Sequence, residues 1–320
     1  MDEFRFAIMG AGHIARKFCD AVVLVDQCRV AAVASKSPAK ARALAAEKDI
    51  PAAYDSYEGM LTVEKPDCVY IATTCDAHFE LAMLCARHGV PVLCEKAMFT
   101  NASDADSFFH FAREKGVFAM EALWSRFLPA VDIARQWIQA GEIGRVALAE
   151  MNIGFIAPPD PENRYFNPRL GGGASNDLTV YGLQILTWAL NRTISKAHVV
   201  ATAAETGVDA TSIVLLDLEG LPASVKSSFR ASMNEGLIVY GDRGKIVVPH
   251  AHYADEAILF SAGGEECVHF RDETTRNGFT YEVKEVMNCI RRGALESDVV
   301  PQASTLACAA VFDQIAAACS

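Results

Sequence analysis

Apolar residues arrive in short bursts along the first third of the chain, each followed by a stretch of helix-forming residues. The burst at 4–9, Phe-Arg-Phe-Ala-Ile-Met, reads as a buried strand, and runs at 28–34, 67–73, 91–96 and 116–121 read the same way. Between them, Ser37 and Pro38 open a helix reaching Lys48, residues 77–88 form a helix stopped by Gly89, and Ser103 caps one that runs to Lys115. Strand and helix alternating over short connections predict a parallel, doubly wound sheet covered on both faces. The pattern changes after residue 122. Residues 129–140 carry apolar positions at helical spacing and end at Gly141, residues 145–155 read as a long strand, and 177–190 as a helix. Strands then dominate, at 198–204, 212–218, 223–231, 236–240 and 245–248, with a hairpin turn at 241–244. Such a meander favours an antiparallel sheet. Helices near 281–292 and 304–318 close the chain. The expectation is an α/β protein of two domains, 1–122 and 123–320, the second α+β.

A length of 320 residues, 51% of them hydrophobic, suits two domains with large cores. The net charge of −11, with no basic block, argues against nucleic acid and anionic membrane as partners. No segment approaches the apolar length of a membrane span, about 18 residues. The start, Met1-Asp2-Glu3-Phe4-Arg5, is acidic and enters the first strand at once, so it is not read as a signal peptide. The ten cysteines, none in a C-x-x-C pair, are therefore expected to be reduced core thiols in a cytoplasmic protein.

The chemistry begins where the first strand ends. Gly10-Ala11-Gly12-His13-Ile14-Ala15 is a G-x-G-x-x-A turn opening a helix, the arrangement a dinucleotide pyrophosphate needs. The first glycine permits the turn, the second lets phosphate approach the backbone, and Ala15 lets helix and strand pack closely. Free N–H groups at the helix start then face the anion. Ligands of parallel sheets sit beyond the carboxyl ends of the strands, which singles out three further positions. After the second strand, Ser35 and Lys36 stand where a ribose-binding carboxylate is usual in NAD-specific folds. A hydroxyl and a cation favour a 2′-phosphate, hence NADP, with NAD possible. Thr73, Thr74 and His78 are expected near the nicotinamide and its ribose. The pair Glu95-Lys96 ends a nearly continuous apolar strand, where a lysine beside a cationic ring could polarise a substrate oxygen or exchange a proton.

Three segments together, Gly10 to Ala15, Cys94-Glu95-Lys96 and Gly171-Gly172-Gly173-Ala174-Ser175-Asn176-Asp177, resemble the signatures of the glucose-fructose oxidoreductase / inositol dehydrogenase family. Met120-Glu121-Ala122-Leu123-Trp124-Ser125-Arg126-Phe127-Leu128-Pro129 is similar to its dimeric dihydrodiol dehydrogenase and xylose dehydrogenase branch, and Glu205 to Asp209 and Tyr281-Glu282 are further matches. The resemblance implies a Rossmann domain followed by a domain with a large open sheet flanked by helices. It implies hydride transfer between NAD(P) and a carbinol carbon of a sugar, polyol or cyclic diol. It also implies that Lys96 works with Tyr181, four residues after Asp177. Two departures stand out: Ala97 replaces the usual proline after the lysine, removing local rigidity and any easy cis bond, and Thr179 replaces a glycine, adding bulk beside Tyr181. Cys75 stands where relatives often have a polar residue.

With that implication in hand, the second half gains meaning. Residues 156–176, rich in Pro, Gly and Asn, form a loop long enough to be a lid. Asp177 lies at the start of the following helix and Tyr181 one turn later on the same face. Asp177 would bind substrate hydroxyls and Tyr181 exchange the proton, a role that needs Lys96 to lower a phenol that normally titrates near 10. Trp124, Arg126, Phe155 and Asn176 are the other candidate substrate contacts. His250-x-His252 lacks a carboxylate or cysteine at ligand spacing, so no metal is expected. The outer face of the meander is a plausible surface for a homodimer or larger homo-oligomer. The reading is an NADP-dependent dehydrogenase or reductase. The alternatives are a non-catalytic NADP-binding regulator of the same fold and an NAD-dependent glycosidase.

Overall fold

The computed structural model describes residues 3–320; Met1 and Asp2, the first residues of the acidic start discussed above, lie outside them. The chain divides into two compact units. The first takes the chain up to Phe99, then Ser103–Ala122 and Asn277–Thr305; the second takes Thr100–Ala102, Leu123–Arg276 and Leu306–Ser320.

The first unit is built on β1 (Phe4–Met9), β2 (Cys28–Ala34), β3 (Ala52–Tyr54), β4 (Cys68–Ile71), β5 (Val92–Glu95) and β6 (Ala119–Ala122), in the order β3-β2-β1-β4-β5-β6, with every pair parallel. Helices α1 (His13–Val22), α2 (Pro38–Glu47), α3 (Tyr57–Glu64), α4 (His78–Arg87) and α5 (Ala102–Lys115) connect them. Strands β4, β5 and β6 are buried along their whole length, which explains their uninterrupted apolar runs. The reversal of strand order between β1 and β4 is the switch point at which such sheets bind ligands.

In the second unit α6 (Pro129–Ala140) and β7 (Val146–Gly154) precede α7 (Val180–Leu190). Then come β8 (Lys196–Ala203), β9 (Asp209–Leu218), β10 (Leu221–Ser228), β11 (Gly236–Gly241), β12 (Gly244–Pro249), β13 (Glu256–Ser261) and β14 (Glu266–Arg271). The eight strands run β14-β13-β12-β11-β7-β10-β9-β8, antiparallel except for β7 with β10. One face packs on α6 and α7; the other leaves Leu148, Val200, Ile213 and Leu215 exposed.

Helix α8 (Phe279–Arg291) returns to the first unit because its apolar face, Phe279, Val283, Val286 and Met287, is buried against α1. Asn277 donates to the Lys17 carbonyl at 3.1 Å, and Ala119 N–H to the Leu295 carbonyl at 3.1 Å. The last helix, α9 (Gln302–Ala318), hands the chain back to the second unit.

Several local expectations shift. Ser37 occupies the N-cap of α2 without a side-chain bond, and its own N–H donates to the Ser35 hydroxyl at 3.1 Å. Ser103 lies inside α5 rather than at its cap. The helix expected from 177 starts as a π-helical turn, Ser175–Thr179, and becomes α-helical at Val180. Two hairpin strands, β13 and β14, and the short β3 with α3 escape the hydrophobic pattern, β14 because nearly all its residues are exposed. All ten cysteines are free thiols, and burial pushes Cys19 up to about 12, far from reactive. Among the described residues no helix is long and apolar enough to cross a membrane.

Candidate cofactor and substrate sites

The loop between β1 and α1 is fixed by its two glycines. Gly10 has φ +106°, and a Cβ there would stand 2.6 Å from the Ala72 carbonyl oxygen. Its N–H is tied to the Ala34 carbonyl at 2.8 Å, which anchors the turn to the end of β2. Gly12, by contrast, faces open space and is the N-cap of α1, with no side chain capping the helix and no acidic residue in its first turn. Arg16 holds the loop from behind, donating to the Gly12 carbonyl at 3.1 Å and to Glu47 at 2.8 Å. Sequence reasoning missed that brace. Ala11 is buried, His13 exposed and Ile14 half-buried, while Ala15 is packed in the core. Beside the loop, the Thr73 hydroxyl is buried with no hydrogen-bond partner, and its methyl approaches Gly10. An uncapped helix start and an orphaned hydroxyl at the switch point fit a dinucleotide phosphate and its ribose.

The remaining strand ends are more varied. Ser35 is buried, with its hydroxyl accepting from Ser37 N–H, whereas Lys36 next to it is exposed. Thr74 is exposed at the start of the 3-10 turn Cys75–Ala77. His78 is fully buried, its ring nitrogens 2.9 Å from the Ala97 carbonyl and 3.2 Å from that of Thr73. It thus braces the ends of β4 and β5 rather than offering a free ring, and burial holds its pKa below the usual range. Ala97 does not remove the cis bond as expected: the Lys96–Ala97 peptide is cis, with Met98 N–H donating to buried Glu121 at 2.9 Å just beyond it. Glu95 is buried under Lys96 and accepts a hydrogen bond from the Tyr70 hydroxyl.

In the second unit the glycine-rich segment is held by a residue the sequence reading named only as the end of the Glu205–Asp209 match, with no role. Asp209, at the start of β9, accepts from Ser175 N–H at 2.8 Å and from its hydroxyl at 2.7 Å. A Cβ on Gly173, which sits at φ +127°, would stand 2.5 Å from the same carboxylate. The clamp sets the π-helical turn that presents Asn176 and Asp177. Replacing Asp209 with Ala would leave those donors unmet and is expected to cost about 1–3 kcal/mol, read by urea unfolding. Asn176 donates to the Gly171 carbonyl at 3.1 Å, and its own side-chain oxygen is buried with no partner. Asp177 is paired with Arg164 at 3.4 Å.

Tyr181 follows on α7, 9% exposed, and its hydroxyl accepts from the Trp124 indole N–H at 3.3 Å. Its ring packs beside His252, centroids 5.5 Å apart. The feared bulk of Thr179 points elsewhere, since its hydroxyl is buried against those of Ser212 and Ser227 at 3.2 and 2.6 Å. Arg126 is only 2% exposed and donates to the Gln184 carbonyl and the Thr187 hydroxyl of α7, at 2.9 and 3.1 Å. It orients that helix from within. Phe155 joins Tyr165 and Phe229 in an edge-stacked cluster. The 156–176 loop edges a cavity of about 410 Å³ lined by Ile156, Pro159, Phe166, Glu205, Phe229 and Arg230. His250 pairs with Glu235 at 3.2 Å, and no group of three potential metal ligands occurs among the described residues.

Comparison with known proteins points the same way. Residues 4–123 match an oxidoreductase family with an NAD-binding Rossmann fold, and residues 131–247 match the C-terminal domain of the same group. A trans-1,2-dihydrobenzene-1,2-diol dehydrogenase of Mus musculus is 33% identical, over 97% of this chain and 95% of its own. A levoglucosan dehydrogenase solved with NADH and levoglucosan superposes with a TM-score of 0.89 at 17% identity, covering 100% of this chain and 98% of that one. A 3-ketoreductase of Actinomadura kijaniata solved with TDP-benzene and NADP gives 0.87 at 19%, covering 98% and 97%. At those identities the two solved structures show a shared fold.

Proposed function

Because the chain belongs to the GFO/IDH/MocA oxidoreductase family, we propose that it is an NADP-dependent dehydrogenase or reductase acting on a ring carbinol of a cyclic diol, sugar or polyol. The observation that carries the reading is the uncapped start of α1 behind Gly10, with the orphaned Thr73 hydroxyl beside it. Backbone N–H groups of Gly12, His13 and Ile14 would hold the pyrophosphate, and Ser35 with exposed Lys36 a 2′-phosphate. The bound nicotinamide supplies or accepts the hydride. Everything else is proton handling and placement. Tyr181 exchanges the proton of the reacting oxygen, with its phenol already receiving the Trp124 N–H. Lys96 supplies the positive charge that favours the phenolate. Asp177 and Asn176, the latter with its unused carbonyl oxygen, are suited to sugar or diol hydroxyls. The exposed apolar residues on the outer face of the eight-stranded sheet suit pairing with a second copy.

A fluorescence titration with NADPH and NADH, followed by turnover on trans-cyclic diols and aldoses, tests this reading. NADPH is expected to bind more tightly, and Lys36→Ala to weaken NADPH by about tenfold while leaving NADH unchanged, the size of one exposed-to-partly-buried charge contact. Equal weakening of both nucleotides would remove Lys36 as the 2′-phosphate reader. Tight nucleotide binding without any turnover would identify a regulator rather than an enzyme.

A further inference from the structure

The first unit buries a cluster of acids that the hydride chemistry above does not use. Glu282 lies on the apolar face of α8, among Phe279, Val283 and Val286, at 0% exposure, and neither of its carboxyl oxygens has a hydrogen-bond partner. An ionised carboxylate in that place would give up its hydration for nothing, so the group keeps its proton. Burial first, and then the neighbouring Glu95, drive its pKa well above the usual carboxylate range.

Facing it are the groups at the ends of β4 and β5. Tyr70, also 0% exposed, donates its hydroxyl to Glu95 Oε1, and its ring stacks on Phe18 of α1 with centroids 3.8 Å apart. Burial, then Glu95 and Glu282, push the phenol's pKa far up, so it acts as a donor. The second oxygen of Glu95 lies 3.3 Å from the Lys96 N–H. Burial raises the Glu95 pKa, while the Tyr70 hydroxyl and the Lys96 charge oppose that rise, and Glu121 adds to it. The titratable groups around Glu95 are thus Tyr70 from β4, Cys94 from its own strand, Lys96 just beyond it, Glu121 from β6 and Glu282 from α8; α1 contributes the Phe18 ring.

We infer that Tyr70 is a positioning residue whose hydroxyl fixes a single negative charge on Glu95, next to Lys96, while Glu282 holds the proton that keeps the second carboxyl neutral. Two buried carboxyl groups that repel each other resist double ionisation, and the one with a donor and a cation beside it is the one that ionises. One counter-charge keeps Lys96 cationic, which is the state the functional reading above asks of it; only that last step rests on the reading. Tyr70 also ties that charge to the glycine loop, since Phe18 belongs to the helix the loop opens.

The test uses two nearly isosteric variants, Glu282→Gln and Tyr70→Phe, in the full chain. Infrared difference spectra at neutral pH are expected to show a protonated-carboxyl stretch lost in Glu282→Gln. The same stretch should be gained in Tyr70→Phe, where Glu95 without its donor takes up a proton. In the wild type, the stability tied to Glu282 is fully present below the ordinary glutamate range and is lost as pH rises toward its raised native value. Glu282→Gln is therefore expected to have a higher Tm than the wild type at neutral and alkaline pH, with the gap closing in acid. Tyr70→Phe should move the acid limb of kcat/KM up by roughly one to two pH units, the size of one hydrogen bond to a charged acceptor, without changing NADPH affinity. The inference is overturned if Glu282→Gln loses a carboxylate stretch instead, or if Tyr70→Phe lowers Tm while the spectrum and the acid limb stay in place. A wild type without turnover would remove the functional reading alone, because the infrared spectra and the Tm profile decide the charge placement without it.

Discussion

Tyr181→Phe is expected to lower kcat/KM by about 10²–10⁴-fold, the usual yield of a placed acid–base group, or about 3–5 kcal/mol of barrier. The phenol is 9% exposed, at the first turn of α7, and its oxygen already accepts a hydrogen bond from Trp124. That donor fixes the position of the oxygen whose loss the variant tests. Phe keeps the ring against His252, and loses only the oxygen. Stability should therefore change by no more than about 1 kcal/mol, the worth of an ordinary hydrogen bond. NADPH affinity should be unaltered, because the glycine loop, Thr73 and Lys36 belong to the first unit. Steady-state kinetics paired with the fluorescence titration separates these effects. A Phe variant that turns over like the wild type would remove Tyr181 from the chemistry.

Gly10→Ala is expected to cost about 2–6 kcal/mol of stability and to abolish dinucleotide binding. Two penalties add. The backbone at φ +106° is one that side chains rarely adopt, at about 1–3 kcal/mol. The added methyl would also stand 2.6 Å from the Ala72 oxygen and 2.8 Å from its carbon, an overpacking worth about 1–3 kcal/mol. Neither side can yield easily. Gly10 is bonded to β2 through the Ala34 carbonyl, and Ala72 N–H is bonded to the Met9 carbonyl at 2.8 Å. Relief must come from moving the loop, which carries the N–H groups of Gly12 and His13 away from where they face the anion. Urea unfolding and the NADPH titration measure the two consequences independently. Alanine at the exposed, open Gly12 provides a contrast, since its Cβ meets nothing within 4 Å and stability should hardly move.

What the sequence made legible is local. The turn at Gly10 to Ala15, the strand ends at Ser35, Thr73 and Glu95, and the run from Asn176 to Tyr181 are each read within a few residues, because strand, turn and helix start are contiguous there. The family and the two-sheet architecture followed from those runs and were right. Side-chain partnerships that join distant segments were invisible. Nothing near Asp209 announces that it clamps Ser175, and nothing in Tyr281-Glu282 announces a carboxyl buried beside β4 and β5. Burial was equally hard to foresee for polar residues. His78 and Arg126 look like ligands in a linear reading, yet both are spent on backbone carbonyls inside the protein. Ala97 was expected to abolish a cis bond that is in fact there. The exposed strand β14 lacks the buried alternation that identifies a strand.

The interleaving of the two units has a consequence for how this protein is made. The sheet that carries the glycine loop is synthesised within the first 122 residues, but the helix that covers Tyr70 and Glu95 does not follow until α8. During translation the nascent cofactor domain must wait, with that flank of its core uncovered, while the entire eight-stranded sheet emerges from the ribosome. It can close only when residues 277–305 have been delivered. Delivery of residues 277–305, rather than completion of the first sheet, is therefore the event that covers this flank of the cofactor domain.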